Sequence, residues 1–124
     1  MKNQHAFTLP ELVGAIIIIG IIAALAIPAI SGMLSSGKDQ QAIGLAQAIN
    51  QAQQTYKLRV ANAATNYSSA ADSSARYLLI GSYVPYSAAT LSGYQPSGYT
   101  FALSTALDTR VTITRTSDSS TVSY

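Results

Sequence analysis

The chain contains no cysteine, no tryptophan and one histidine, and only 10% of its 124 residues are charged. Without cysteine, no disulfide staples a small domain and no thiolate serves as nucleophile or metal ligand. The lone histidine, His5, lies in a polar leader and reads as part of that leader rather than as a base or ligand. No Ser/His/Asp set, glycine-rich phosphate loop or H-E-x-x-H pattern is present. Asp72, Asp108 and Asp118 are too scattered to form a calcium loop. The expectation is therefore a protein that is not an enzyme, with no catalytic residues, no cofactor and no metal. A net charge of +2 is too small to argue for nucleic acid.

What the chain does have is a long uncharged run. Leu12 to Gly37 carries no Asp, Glu, Lys or Arg. At ~1.5 Å per residue a helix of that length reaches roughly 39 Å, more than the ~30 Å hydrocarbon core of a bilayer. It is apolar all round, as a membrane or fully buried helix should be. Ahead of it stand Lys2, a few polar residues and one acid, Glu11. The lysine places the leader on the cytoplasmic side.

The start of the helix is marked locally. Thr8 and Glu11 have the spacing of a capping box, each side chain satisfying a backbone N–H of the first turn, and Phe7 and Leu12 that of a hydrophobic staple. Pro10 falls in the first turn, where its missing N–H costs nothing. Further on, Pro28 removes the bond to the carbonyl of Ala24 and predicts a kink or loosening. Gly14, Ala15, Gly20, Ala23 and Ala24 let neighbouring helices approach closely in lipid.

After Lys38 the pattern becomes one-sided. Ala42, Leu45, Ile49, Ala52, Tyr56 and Val60 recur at three- and four-residue steps among polar residues, predicting an amphipathic helix to about Ala64. Thr65 to Ser74 reads as a loop, and Tyr77 to Ile80 fits either a short strand or a helical turn. Tyr99, Phe101 and Leu103 alternate with polar or small residues, as do Val111 and Ile113, the period of half-buried strands. Leu107 to Thr109 suits the connection between them, and Thr121 to Tyr124 an edge strand. The eight tyrosines with abundant Ser, Thr and Ala read as a neutral, tyrosine-dotted exterior.

The residues Ala6-Phe7-Thr8-Leu9-Pro10-Glu11-Leu12, the apolar run, Gly20 and the Ala26-Ile27-Pro28 end resemble the N-terminus of type IV pilins and type II secretion pseudopilins. The resemblance covers about Lys2 to Ile30. Ala6 stands where that family nearly always has glycine, and Pro10 replaces the usual aliphatic residue. The resemblance implies an α+β pilin-like fold, a long kinked N-terminal α-helix packed on a small antiparallel sheet. It implies a leader of residues 1–6, a transmembrane and filament-core segment of 7–36, an amphipathic half of the helix over 37–64 and a small β-sheet head over 65–124. It further implies cleavage between Ala6 and Phe7 by a prepilin peptidase, N-methylation of Phe7, and pairing of its amine with Glu11 of a neighbour during assembly. Gly20 and Pro28 would bracket a segment that loses helicity in the filament. The partners implied are copies of the chain in a helical filament, the pilus or type II secretion assembly machinery, and the inner membrane before assembly. The destination is an extracellular pilus or a periplasmic pseudopilus. Major pseudopilins usually carry an acidic calcium loop near the C-terminus, and many Gram-negative type IV pilins a cysteine pair; this sequence has neither.

Two other readings compete. Ala24-Leu25-Ala26 after the apolar stretch Val13 to Ile22 has the form of a secretory signal, which would release a soluble module beginning at Ile27. A monomeric membrane-anchored binding module fits the same composition. Lys57, Arg59, Arg76, Arg110 and Arg115, interleaved with tyrosines, could meet DNA, but solvated surface cations explain them as well, so nucleic acid is not among the expected partners.

Overall fold

A computed structural model describes residues 6–124 of the chain; Lys2, His5 and the rest of the leader before Ala6 lie outside the described residues. The described residues divide into two compact units, one ending at Gly37 and the other spanning Lys38–Tyr124. Helix α1, Leu9–Arg59, supplies residues to both.

In the first unit the helix starts where its local chemistry directs. The Leu12 N–H reaches the Thr8 carbonyl at 3.2 Å, which makes Thr8 the cap and Pro10 a first-turn residue with no N–H to satisfy. The chain stays helical through Gly20 and Pro28, and the Ser31 hydroxyl donates to the Pro28 carbonyl at 2.9 Å. The apolar side chains of this stretch find no cover within the chain: Ile16, Ile17, Ile18 and Ile19, which step around the helix, are 61%, 56%, 58% and 65% exposed. The expected Phe7–Leu12 staple does not close either, because Phe7 remains 88% exposed.

The second unit is a head with its own core. Residues Ala42, Ala46, Ile49, Ala52, Gln53 and Tyr56 of α1 are buried. The expected stripe is thus rotated slightly: Leu45 and Val60 are only half-buried, while Ala46 and Gln53 take central places. Three alanines on the buried face let the rest of the head approach the helix closely. The helix ends at Arg59 rather than near Ala64, and Asn62 turns the chain with a left-handed φ of 57°. Asparagine tolerates that region better than most residues.

The stretch Thr65 to Ser74, expected as a loop, is helical at both ends, with only residues 69–72 left as a turn, and Tyr77 to Ile80 takes the helical of its two expected forms. Helix α2 spans Ala63–Ser68 and α3 spans Ser73–Ile80. The Asp72 carboxylate caps α3 by accepting the Ala75 N–H at 2.8 Å, a standard N-cap bond. A 3₁₀ turn, Gly81–Tyr83, and a one-turn helix α4, Leu91–Tyr94, follow, the latter capped by Thr90. Small polar residues mask these helices in the sequence; tertiary burial of Tyr67, Tyr77 and Ile80, none of them exposed, holds them in place.

Strands β1, Tyr99–Ala102, β2, Thr112–Arg115, and β3, Thr121–Val122, form an antiparallel sheet in the order β1-β2-β3. Phe101 faces Ile113 across the first pair, and Ile113 faces Val122 across the second. All three are buried, so the alternating pattern read from the sequence is the pattern of the core face. The architecture is α+β, with a long apolar N-terminal helix and a small three-stranded antiparallel sheet, a layout consistent with the pilin-like fold.

The tyrosines are a correction. Tyr56, Tyr67, Tyr77, Tyr94 and Tyr99 are buried in the head rather than spread over its exterior. Their rings fill volume that a head poor in Phe and Trp must fill somehow, and their hydroxyls find internal partners, as buried phenols generally do. The Tyr77 hydroxyl donates to the Ala88 carbonyl and accepts the Ala88 N–H at 3.1 and 3.0 Å. The Tyr94 hydroxyl donates to the Leu45 carbonyl at 3.3 Å.

Candidate functional site: the capped acid before the apolar helix

Glu11 sits in the first turn of α1, three residues after the cap. One of its oxygens, Oε2, accepts both the Thr8 backbone N–H and the Thr8 hydroxyl, each at 2.8 Å. Only half of the capping box is therefore made: the carboxylate satisfies the Thr8 N–H, while the Thr8 hydroxyl turns to the carboxylate instead of to a backbone donor. A carboxylate offers about four acceptor positions, and these two bonds fall on one oxygen. Acceptor capacity remains on Oε1 for a further donor.

Ala6 and Phe7 precede the helix in exposed, irregular backbone. Such backbone is the form a peptidase can take into its active site. Gly14 and Gly20 have nothing within 4 Å of where a Cβ would stand, so the chain itself does not require glycine at either place. Among the described residues, α1 is the one helix long and apolar enough to cross a membrane, and none of its most apolar window is buried. The site is thus a single anchored acid at the mouth of an uncovered apolar helix.

The head offers a different kind of chemistry. Asp39 accepts the Arg115 Nε–H at 2.9 Å, pairs with Arg115 Nη2, and accepts the Tyr99 hydroxyl at 2.7 Å. The Arg115 guanidinium beside it, together with the Tyr99 hydroxyl, lowers the Asp39 carboxyl to about 2. Lys57 contacts both oxygens of Asp108 at 2.9 Å. Arg76 is buried and donates to the Leu103 and Ala70 carbonyls, each at 3.0 Å, and Arg110 donates to the Tyr124 carbonyl at 2.8 Å. The cations weighed for DNA thus have acceptors inside the head, Arg59 excepted. Hollows of about 270 Å³ beside Asn50, Gln54, Asp108 and Arg110 are open. Their polar groups bond chiefly to one another and to the head: the Asn50 carbonyl oxygen accepts the Val111 N–H at 3.0 Å, and its amide donates to the Tyr124 hydroxyl at 3.0 Å.

Sequence reading placed Ala6, Phe7, Glu11, Gly20 and Pro28 on one segment, and the structure keeps them there, in order along a single helix and its approach. It did not find the Asp39–Arg115–Tyr99 cluster or the Gln53–Tyr67 bond. Those partners lie 76, 60 and 14 residues apart, and no local spacing signals them.

An apolar helix long enough to cross a membrane, with an acid in its first turn and a small α+β head later in the chain, is a layout consistent with membrane-anchored, pilin-like proteins. Residues 1–27 match the family model described as the prokaryotic N-terminal methylation motif, the prepilin motif of type IV pilins and pseudopilins. The match covers the N-terminal segment and supports a type IV pilin-like or pseudopilin protein. That motif points to a structural protein rather than an enzyme, implies processing by a prepilin peptidase and entry into pilus-type assembly machinery, and fits a single-pass membrane-anchored precursor. Among curated proteins and solved structures, none matches the chain.

Proposed function

We propose that the chain is the structural subunit of a type IV pilus or pilus-like filament, cut between Ala6 and Phe7 and assembled through α1. The observation that carries this is the pairing of a wholly uncovered apolar helix with one acid at its start. In a lone membrane helix Glu11 sits at the boundary, near water and beside the positive helix N-terminus, where an acid is stabilised by ~0.3–1 kcal/mol. When many copies bundle their apolar segments, Glu11 moves into a low-dielectric core, and an unpaired buried charge there costs several kcal/mol. Cleavage creates the compensating cation, the α-amine of Phe7; N-methylation of that amine keeps its charge. Pairing with Glu11 of the neighbouring subunit ties processing to assembly.

The loosening of α1 between Gly20 and Pro28 belongs to the same proposal. The segment is helical in the single chain, but Pro28 leaves the Ala24 carbonyl without its helical donor, and Gly20 has the lowest helix propensity after proline. Packing into a filament would unwind that stretch first. The subunit would begin as a single-pass inner-membrane precursor and end in an extracellular fibre, or in a periplasmic pseudopilus if the chain serves type II secretion.

Glu11→Ala is the discriminating experiment. A filament subunit carrying it inserts and is processed but assembles poorly or not at all, measured as sheared surface fibres against membrane-bound protein. A simple membrane anchor or binding module would be unaffected. N-terminal sequencing of the mature protein should give Phe7; Ile27 would establish the secretory-signal reading instead.

A further inference from the structure

Strand β1 is an edge of the sheet, since only β2 pairs with it. The Thr116 N–H bonds the Gly98 carbonyl at 2.9 Å, and with the register of β1 on β2 this turns Thr100 and Ala102 toward that partner for ladder bonding and leaves the N–H groups of Tyr99, Phe101 and Leu103 on the open side. An edge of this kind is a template for pairing with another chain. Here each outward donor already has an acceptor. The Tyr99 N–H closes a turn onto the Pro96 carbonyl at 3.2 Å, a turn made possible by Gly98 at φ 87°. The Phe101 N–H is taken by the Gln95 side-chain oxygen at 2.9 Å, and the Leu103 N–H by the Ser73 hydroxyl at 3.0 Å. The Leu103 carbonyl accepts from Arg76, so this cation, buried without a carboxylate partner, serves the edge.

We infer that Gln95, Ser73 and Arg76 form a guard on β1 that closes the head's sheet to strand addition by a second copy of the chain. The three come from two places, Gln95 from the end of α4 and Ser73 and Arg76 from the first turns of α3, and converge on one edge. Ser73 and Arg76 are positioned by α3, whose first turn is fixed by the Asp72 cap. The guard matters because a protein whose apolar helix gathers copies side by side holds their heads at high local concentration. Under those conditions an open edge would let heads fuse by backbone pairing, in competition with association through α1. The inference concerns the head alone and stands whether or not the chain forms filaments.

The test uses the full-length chain in detergent micelles. Because the chain lacks cysteine, Ala102→Cys on the exposed side of β1 is a clean reporter for a short bis-maleimide cross-linker. In the reporter background, Gln95→Ala combined with Ser73→Ala should raise the cross-linked dimer severalfold, and the Phe101 amide should exchange with solvent about tenfold faster or more. Gln95→Glu, which keeps an acceptor opposite the Phe101 N–H, should restore slow exchange and low dimer in the presence of native Ser73. Circular dichroism separates loss of the guard from loss of the fold. A folded double variant with unchanged dimer overturns the inference, and so does a Gln95→Glu variant with native Ser73 that dimerises as readily as the double variant.

Discussion

Asp39 and Arg115 lie 76 residues apart in sequence and form a two-point ion pair, with Tyr99 donating to the same carboxylate. The aspartate belongs to α1 and the arginine to the last position of β2. The pair therefore fastens the helix to the sheet at the end of the head where α1 first becomes buried, one turn before Ala42.

That pair makes the head's stability depend on pH in a defined direction. Its carboxyl is lowered from 3.8 to about 2 in the folded state, so the stabilisation is fully present above the unfolded value and disappears as pH falls through the folded one. Thermal melts of wild type and Asp39→Asn should differ at pH 7, with the variant lower. The gap should narrow between pH 4 and pH 2. A constant gap across that window would show that Asp39 acts through something other than its charge.

The Gln53 amide donates to the Tyr67 hydroxyl at 2.6 Å, and both residues are fully buried. Removing only the hydroxyl, with Tyr67→Phe, leaves a buried amide donor unpaired and should destabilise the head by about 1–3 kcal/mol. The double variant Gln53→Leu with Tyr67→Phe should recover most of that loss, because two apolar groups of similar shape leave nothing unsatisfied. Chemical denaturation of the three variants gives the comparison.

Isoleucines in the two units should respond oppositely to truncation. Ile49 is 0% exposed in the head, whereas Ile18 is 58% exposed on the apolar helix. Ile49→Ala should destabilise the head by about 2–5 kcal/mol. Ile18→Ala should leave the head's melting unchanged in detergent and act, if anywhere, on assembly. A double set of melts and fibre yields separates the two outcomes.

Much of this protein was legible before any coordinates. The N-terminal segment declares itself through local chemistry: a charge-free run long enough to span a bilayer, an acid three residues after a threonine, a proline where a first turn tolerates one. Strands β1 and β2 were visible because Phe101 and Ile113 sit in alternating patterns whose period is set by strand geometry alone. Helix α2 and the start of α3 were not, because Asn, Ser and Ala have no apolar period there, whereas Tyr77 to Ile80 already read as a possible helical turn; what holds both helices is the burial of Tyr67 and Tyr77 against distant residues. The tyrosines misled for a related reason: a phenol reads as surface-compatible until its hydroxyl is seen to have an internal partner.

The sequence by itself determined the charge-free apolar helix and the capped acid at its start, and it carries the motif on which the proposed cut between Ala6 and Phe7 rests, since each depends on residues within a few positions of one another. Only the tertiary structure decided which polar side chains are structural. Asp39 with Arg115, Gln53 with Tyr67, and Gln95 and Ser73 on the edge of β1 became partners when the chain was packed. A hydrogen bond or ion pair is a matter of about 3 Å in space, and separation along the chain carries no information about it once the residues belong to different elements.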